Sequence, residues 1–241
     1  MMKLRMKNIA ALALASSLSL ASTCSSIAAT TESSSMPYTY IINDPDTIEA
    51  GKNLVAPEGQ VTGTEEHIDY LNDTVMSTQS AEKQEQIEKQ AATGLTKHNY
   101  YKGLSSDQAA QADKIAQNVA NAILNDSTKS TDLDRVRAAA EFTELCCEVS
   151  YYGSDAEKNY RSPYGVFIAG IYTCAGSTRA LGRILDYMGI DWDHANENQN
   201  THQWCIVTLD GQQAWADGMA GKADYGDDAR TGLMRYGIIP L

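Results

Sequence analysis

The stretch SPYGVFIAGIYTCAGSTRALGRILDYMGIDWDHANENQNTHQWCIVTLDGQQAWADG, residues 162–218, decides how this chain is read. From Ala175 to Met188 the pattern is helical: Thr178, Leu181, Leu185 and Met188 share a face, and Gly189 sits where a left-handed C-terminal glycine belongs. Cys174 therefore stands at a helix start. A helix N-terminus favours the thiolate, the reactive form of the side chain. The small first turn, Ala175-Gly176-Ser177, leaves its approach open, and the backbone N–H of Cys174 is a candidate donor to an oxyanion. Asp191 to Thr201 reads as a polar loop. Two strands follow, Gln203 to Leu209 and Gln212 to Asp217, joined by Asp210-Gly211, a strong two-residue hairpin signal.

That turn sets the register. Leu209 then pairs with Gln212, Ile206 faces Trp215, and Trp204 faces Asp217. Opposed and alternate residues share a sheet face, so His202, Trp204, Trp215 and Asp217 lie together. Asp217 is diagonal to His202, with backbones about 7–8 Å apart. From there a carboxylate can reach an imidazole N–H, fix its tautomer and support the imidazolium. The two tryptophans are expected to screen the pair from water and to border a substrate cleft. Cys205 points to the opposite face, which argues against it as a nucleophile or as a metal ligand beside His202. The bland alternative is a solvated histidine and a surface aspartate beside a hairpin.

The other histidines carry less. His194 reads as a solvated loop residue, and His67 and His98 have no partner pattern. The vicinal pair Cys146-Cys147 reads as two small core residues, since free cysteine is among the most buried types. There is no CxxC and no matching histidine spacing, so neither a metal nor an organic cofactor is expected.

Upstream, Ser105 and Gln108 form a capping-box pattern, and Ala112, Ile115, Ala116, Val119 and Ile123 follow on one helical face. Thr131 to Asp134 starts a second helix, with acids where its dipole favours them. Its stripes are Leu133, Val136, Ala140, Thr143, Cys147 and, beside them, Phe142, Leu145, Val149. Residues 30–95 are polar and read as largely disordered linker. Within them, Ser80 to Gln90 has Ile87 as its one large apolar residue, and reads as a solvated helix at most. Residues 96–241 form the expected domain, with loops and one edge strand after Gly218.

Residues 1–29 read as a secretory signal: Lys3, Arg5 and Lys7 precede a short apolar run and small-residue cleavage sites. Ala21-Ser22-Thr23-Cys24 looks like a degraded lipobox, so a lipid anchor at Cys24 stands as the alternative and the one route to a membrane. Losing residues 1–29 removes three positive charges and no negative ones, which takes the net charge from −12 to −15. Such an acidic chain offers no basic stripe to nucleic acid and is repelled by anionic membrane surfaces.

These residues together resemble the transglutaminase-like superfamily of papain-type cysteine folds, most closely its secreted bacterial members. The resemblance is carried by Tyr164-Gly165, Gly170 and Cys174-Ala175-Gly176, then His202-Gln203-Trp204, then Leu209-Asp210-Gly211, Trp215 and Asp217. It spans roughly residues 105–218. It implies an α+β fold with helices packed on a small antiparallel sheet. It also implies a catalytic set of Cys174 as nucleophile, His202 as general base and Asp217 as orienter, with Tyr164 as a speculative second oxyanion donor. The implied activity is acyl transfer at peptide or glutamine-type amide bonds, as a protease or a transglutaminase, on a protein or peptide substrate associated with the cell wall. A non-catalytic envelope-binding module on the same fold is the rival expectation. The chain departs from the family pattern at Cys205, where Asn is common, at Gly218-Met219, where Pro-Thr is common, and in how soon the domain ends.

Overall fold

A computed structural model describes residues 74–199, 201–227 and 229. The expected signal sequence, Cys24 and His67 lie outside the described residues. Four helices come first: α1 (Ala81–Lys97), α2 (Ser106–Asn125), α3 (Asp132–Glu148) and, after a short irregular region, α4 (Cys174–Tyr187). The irregular region contains strand β1 (Tyr151–Tyr152), a 3-10 turn (Asn159–Arg161), a π-helical turn (Gly165–Ala169) and strand β2 (Ile171–Tyr172), with β1 and β2 paired in parallel. Strands β3 (Trp192–His194), β4 (Cys205–Leu209), β5 (Gln212–Asp217) and β6 (Lys222–Tyr225) form one antiparallel sheet in that order. The architecture is thus α+β, with helices first and a small sheet last.

The local signals explain most of these elements. The Ser105–Gln108 capping box closes reciprocally at the start of α2, and Thr131 with Asp134 does the same for α3. Asp210 (φ 53°) and Gly211 (φ 74°) both turn left-handed, the backbone that a tight hairpin needs. The register follows: Leu209 pairs with Gln212 and Ile206 with Trp215. Val149 departs from its stripe. It caps α3 and is 40% exposed, because the chain leaves the helix there for β1.

Helix α4 is the centre of the molecule. It packs against α1, α2 and α3 and against strands β3, β4 and β5. Leu181, Ile184 and Leu185 on it are fully buried, and Gly182 allows the Trp192 ring of β3 to lie against the helix backbone.

Two readings of the sequence change here. Helix α1 lies inside the segment expected to be linker, yet it docks on α4 through Ile87, Ala91 and Gly94. Polar bonds add to these contacts. Gln90 donates to Asp186, and Lys97 bridges Asp191 (2.9 Å) and Asp193 (3.0 Å). The expected polar loop after Asp191 contains β3, with Trp192 paired to Val207 and His194 to Cys205.

A buried polar network ties α1 and α2 to α4. Arg183 donates to the Ala91 carbonyl (2.7 Å), to Asp113 (2.5 Å) and to Asp186 (3.2 Å). Tyr100 donates to Asp186 and accepts from Trp192. His98, expected to be without partners, stacks on Trp192 at 3.8 Å and meets its carbonyl. Burial pushes the Asp186 carboxyl up to about 6 despite Arg183. Removing one partner of such a pair leaves an uncompensated buried charge. Arg183→Met is therefore expected to cost about 3–5 kcal/mol, read by urea unfolding.

Candidate active site

Thr173 is the N-cap of α4, and its backbone N–H donates to the Tyr160 carbonyl at 3.1 Å. This fixes the entry of the chain into the helix. Gly176 comes so close to the same carbonyl that no side chain fits there. Cys174 is then the first residue of α4, 4% exposed, and its carbonyl accepts from Ser177 (3.2 Å) and Thr178 (2.7 Å).

His202 precedes β4 and is fully buried. Asn196 donates to its carbonyl, which anchors the loop after β3. Its Nε2 bonds directly to Asp217 Oδ2 across the hairpin. Asp217 Oδ1 accepts from the backbone N–H groups of Met219 (2.9 Å) and Ala220 (3.1 Å), so the carboxylate is held at both oxygens. The other ring nitrogen, Nδ1, is buried with no partner at ordinary hydrogen-bond length. The Cys174 thiol is the imidazole's second neighbour, and it too favours the protonated ring. Burial alone would lower the His202 pKa. Asp217 overrides it and, with Cys174, lifts the group to about 10. As a thiol, Cys174 donates to the Thr201 carbonyl at 4.0 Å. Thiol, imidazole and carboxylate are thus neighbours at one buried site in which the carboxylate supports a charged ring.

A cavity of about 170 Å³ opens beside Cys174. Its wall includes Tyr160, Arg161, Ala175, Arg179, Thr201 and Gln203. The sequence reading had not singled out Arg179 and Gln203. Arg179 was legible in principle, since Ala175 and Arg179 are four residues apart on one helix face. Gln203 is oriented by His194, whose Nε2 donates to Gln203 Oε1 at 2.7 Å. His194 was expected to be solvated, but its side chain is 3% exposed. Burial, and then the charge of Arg179, hold its pKa down at about 4.

Three expected site residues lie elsewhere. Tyr164 precedes the π-helical turn and packs, like Tyr152, on the main core. Trp204 (5% exposed) and Trp215 (0%) form a small second core with Ala195, Ala220 and Ala229. Trp204 lies beside the His202 ring, 6.0 Å between centroids, and neither tryptophan is on the cavity wall. The paired β1–β2 bridge instead brings Tyr152 to Cys174. Its hydroxyl approaches the Cys174 backbone, yet it is buried without a hydrogen bond of ordinary geometry. Burial, and then the Cys174 side chain, raise the Tyr152 pKa well above the usual phenol range, so it stays a neutral donor.

Cys205 faces away, as the register requires, with its thiol on the Thr178 carbonyl at 3.4 Å. Cys146 and Cys147 are buried in the main core. Among the described residues, no group of three His, Cys, Asp or Glu side chains could hold a metal ion, and no helix is long and apolar enough to cross a membrane. No protein-family model, no curated protein and no solved structure matches this chain.

Proposed function

We propose that this protein is an exported cysteine-nucleophile acyl-transfer enzyme on a papain-like, transglutaminase-like core. The observation that supports it most is the buried grouping of Cys174, His202 and Asp217, assembled from a helix start, the segment before β4 and the end of β5. A merely structural histidine does not need a carboxylate on one side and a thiol on the other.

The reaction is written from these residues. In the resting pair the thiol's proton already sits on His202, and the Cys174 thiolate attacks the carbonyl carbon of an amide. A C–S bond forms and the oxygen becomes an oxyanion. The backbone N–H of Cys174 is one donor to it, and the Tyr152 hydroxyl is the second, in the place first given to Tyr164. As the C–N bond breaks, His202 returns its proton to the leaving nitrogen. The thioester then passes its acyl group to water, giving hydrolysis, or to an amine, giving a new amide. Asp217 keeps the ring oriented throughout. Loss of one oxyanion donor costs about 10²–10³ in kcat. Tyr152→Phe, which removes only the hydroxyl, is expected to show a loss of that order with KM little changed.

The test uses quenched peptides and glutamine peptides, with and without an added primary amine. Cleavage or amine incorporation that depends on Cys174 supports the reading. Activity of neither kind across a broad peptide set, with the protein folded, would overturn it.

A further inference from the structure

We infer that the cavity beside Cys174 is a carboxylate subsite, so that the acyl substrate carries an anionic group about one residue from the reacting carbonyl. This rests on the reading of Cys174 as the nucleophile, and it concerns what that nucleophile is given.

The cavity wall carries two arginines in an acidic protein, one of them offset by Glu197. The chain carries 19 Lys and Arg against 31 Asp and Glu. Yet the two charged residues on the cavity wall are Arg161 and Arg179, and among the described residues no carboxylate lines it. A concave site with an excess of one sign, here the charge of Arg161 beside the Arg179–Glu197 pair, focuses its field on an incoming ion of the other sign. The surrounding negative charge sharpens the contrast, since an anion is attracted at this opening and repelled over most of the remaining surface.

Arg179 is built into position. Its side chain is 9% exposed, and Nη2 is held by Glu197 at 2.9 Å. Nη1 donates to the Arg161 and Ala175 carbonyls at 3.3 and 3.4 Å. Its Nε is buried and has no partner. That N–H is closed to the cavity as well, but the two Nη1 bonds are longer than ordinary ones, and a carboxylate oxygen is a stronger acceptor than either carbonyl. Arg161 adds the second charge. It is exposed, and its guanidinium lies over the Tyr160 ring, 5.2 Å from the centroid. Ala175, one turn before Arg179, leaves space in front of the helix. Gln203, fixed by His194, adds a neutral polar group to the same wall. At about 170 Å³ the cavity is close to one that accepts a benzene ring, roughly 150 Å³. It therefore takes one short side chain or a chain terminus.

A carboxylate here has two sources, an acidic side chain or a peptide C-terminus. The experiment separates them by NMR titration of the full-length Cys174→Ala protein with three matched ligands. N-acetylglutamine carries the terminal carboxylate, the α-amide of N-acetylglutamate carries the side-chain carboxylate, and N-acetylglutamine amide carries neither. One of the anionic ligands is expected to bind about 10- to 100-fold tighter than the neutral one, and which one names the source. Arg161→Gln, an exposed change that spares the fold, is expected to weaken that ligand about two- to fivefold. Arg179→Gln is expected to remove the preference. Equal affinity for all three ligands, or a preference untouched by both variants, would overturn the inference. Binding does not need a reactive thiol. An unreactive Cys174 would thus count against the acyl-transfer reading while the titration still decided the subsite.

Discussion

Asp217→Asn is expected to lower kcat by about 10⁴-fold on any substrate the protein turns over. Asparagine keeps the size of the side chain, and its oxygen can still accept from Met219 and Ala220. What it loses is the charge. Burial alone lowers the His202 pKa, and Asp217 overrides that effect. Without the carboxylate, the ring cannot hold the proton it must take from the thiol, and the tautomer that presents Nδ1 to sulfur is no longer fixed. The same change bears on stability. The folded pKa of His202, about 10, lies above its ordinary 6.5. Its contribution is therefore present in full below pH 6.5, declines above that, and is lost as pH rises through about 10. Urea unfolding of the wild type should show that decline between pH 7 and 10.5, and the variant should lack it. A kcat within tenfold of wild type would remove Asp217 from the mechanism.

Cys174→Ala is expected to have the larger effect on rate, on the order of 10⁶-fold, with little change in stability. The side chain is small, and the helix start beneath it is held by Thr173, Gly176 and Thr178, not by the sulfur. Any loss of stability should stay near 1 kcal/mol, the usual scale for a single substitution. Kinetic assay and thermal unfolding of the same preparation separate the two quantities. Substantial activity in the folded variant would show that the thiol is not the nucleophile.

The parts of the fold that were legible in the sequence are those fixed by short-range chemistry. Asp210-Gly211 dictates a left-handed two-residue turn, and the alternation of side chains along β4 and β5 then places His202 with Asp217 and turns Cys205 away. The helix beginning at Cys174 was legible from its spacing and from Gly189. The missed features share a different physics. Helix α1 docks through small residues and polar bonds, and Ala91 and Gly94 leave no stripe that a hydrophobic pattern would reveal. His98 and His194 are buried by Trp192 and Gln203, partners that a loop reading does not supply. Tyr152 reaches Cys174 through a parallel bridge two residues long, too short to leave a pattern. Trp204 and Trp215 lie on the predicted side of the hairpin. Their placement in a closed second core, rather than in a cleft, depends on Ala195, Ala220 and Ala229 closing over them.

The most direct measurement is the site and rate of labelling when the protein without residues 1–29, and so without Cys24, meets a thiol-directed electrophile near neutral pH. Four described cysteines compete: Cys146, Cys147, Cys174 and Cys205, none of them in a disulfide and all buried. Burial pushes the thiols of Cys147 and Cys205 up, which slows them. The predicted result is a single fast adduct, located at Cys174 by peptide mapping and lost in His202→Ala. Slow and equal labelling of all four cysteines, or a Cys174 rate that His202→Ala leaves unchanged, would contradict it.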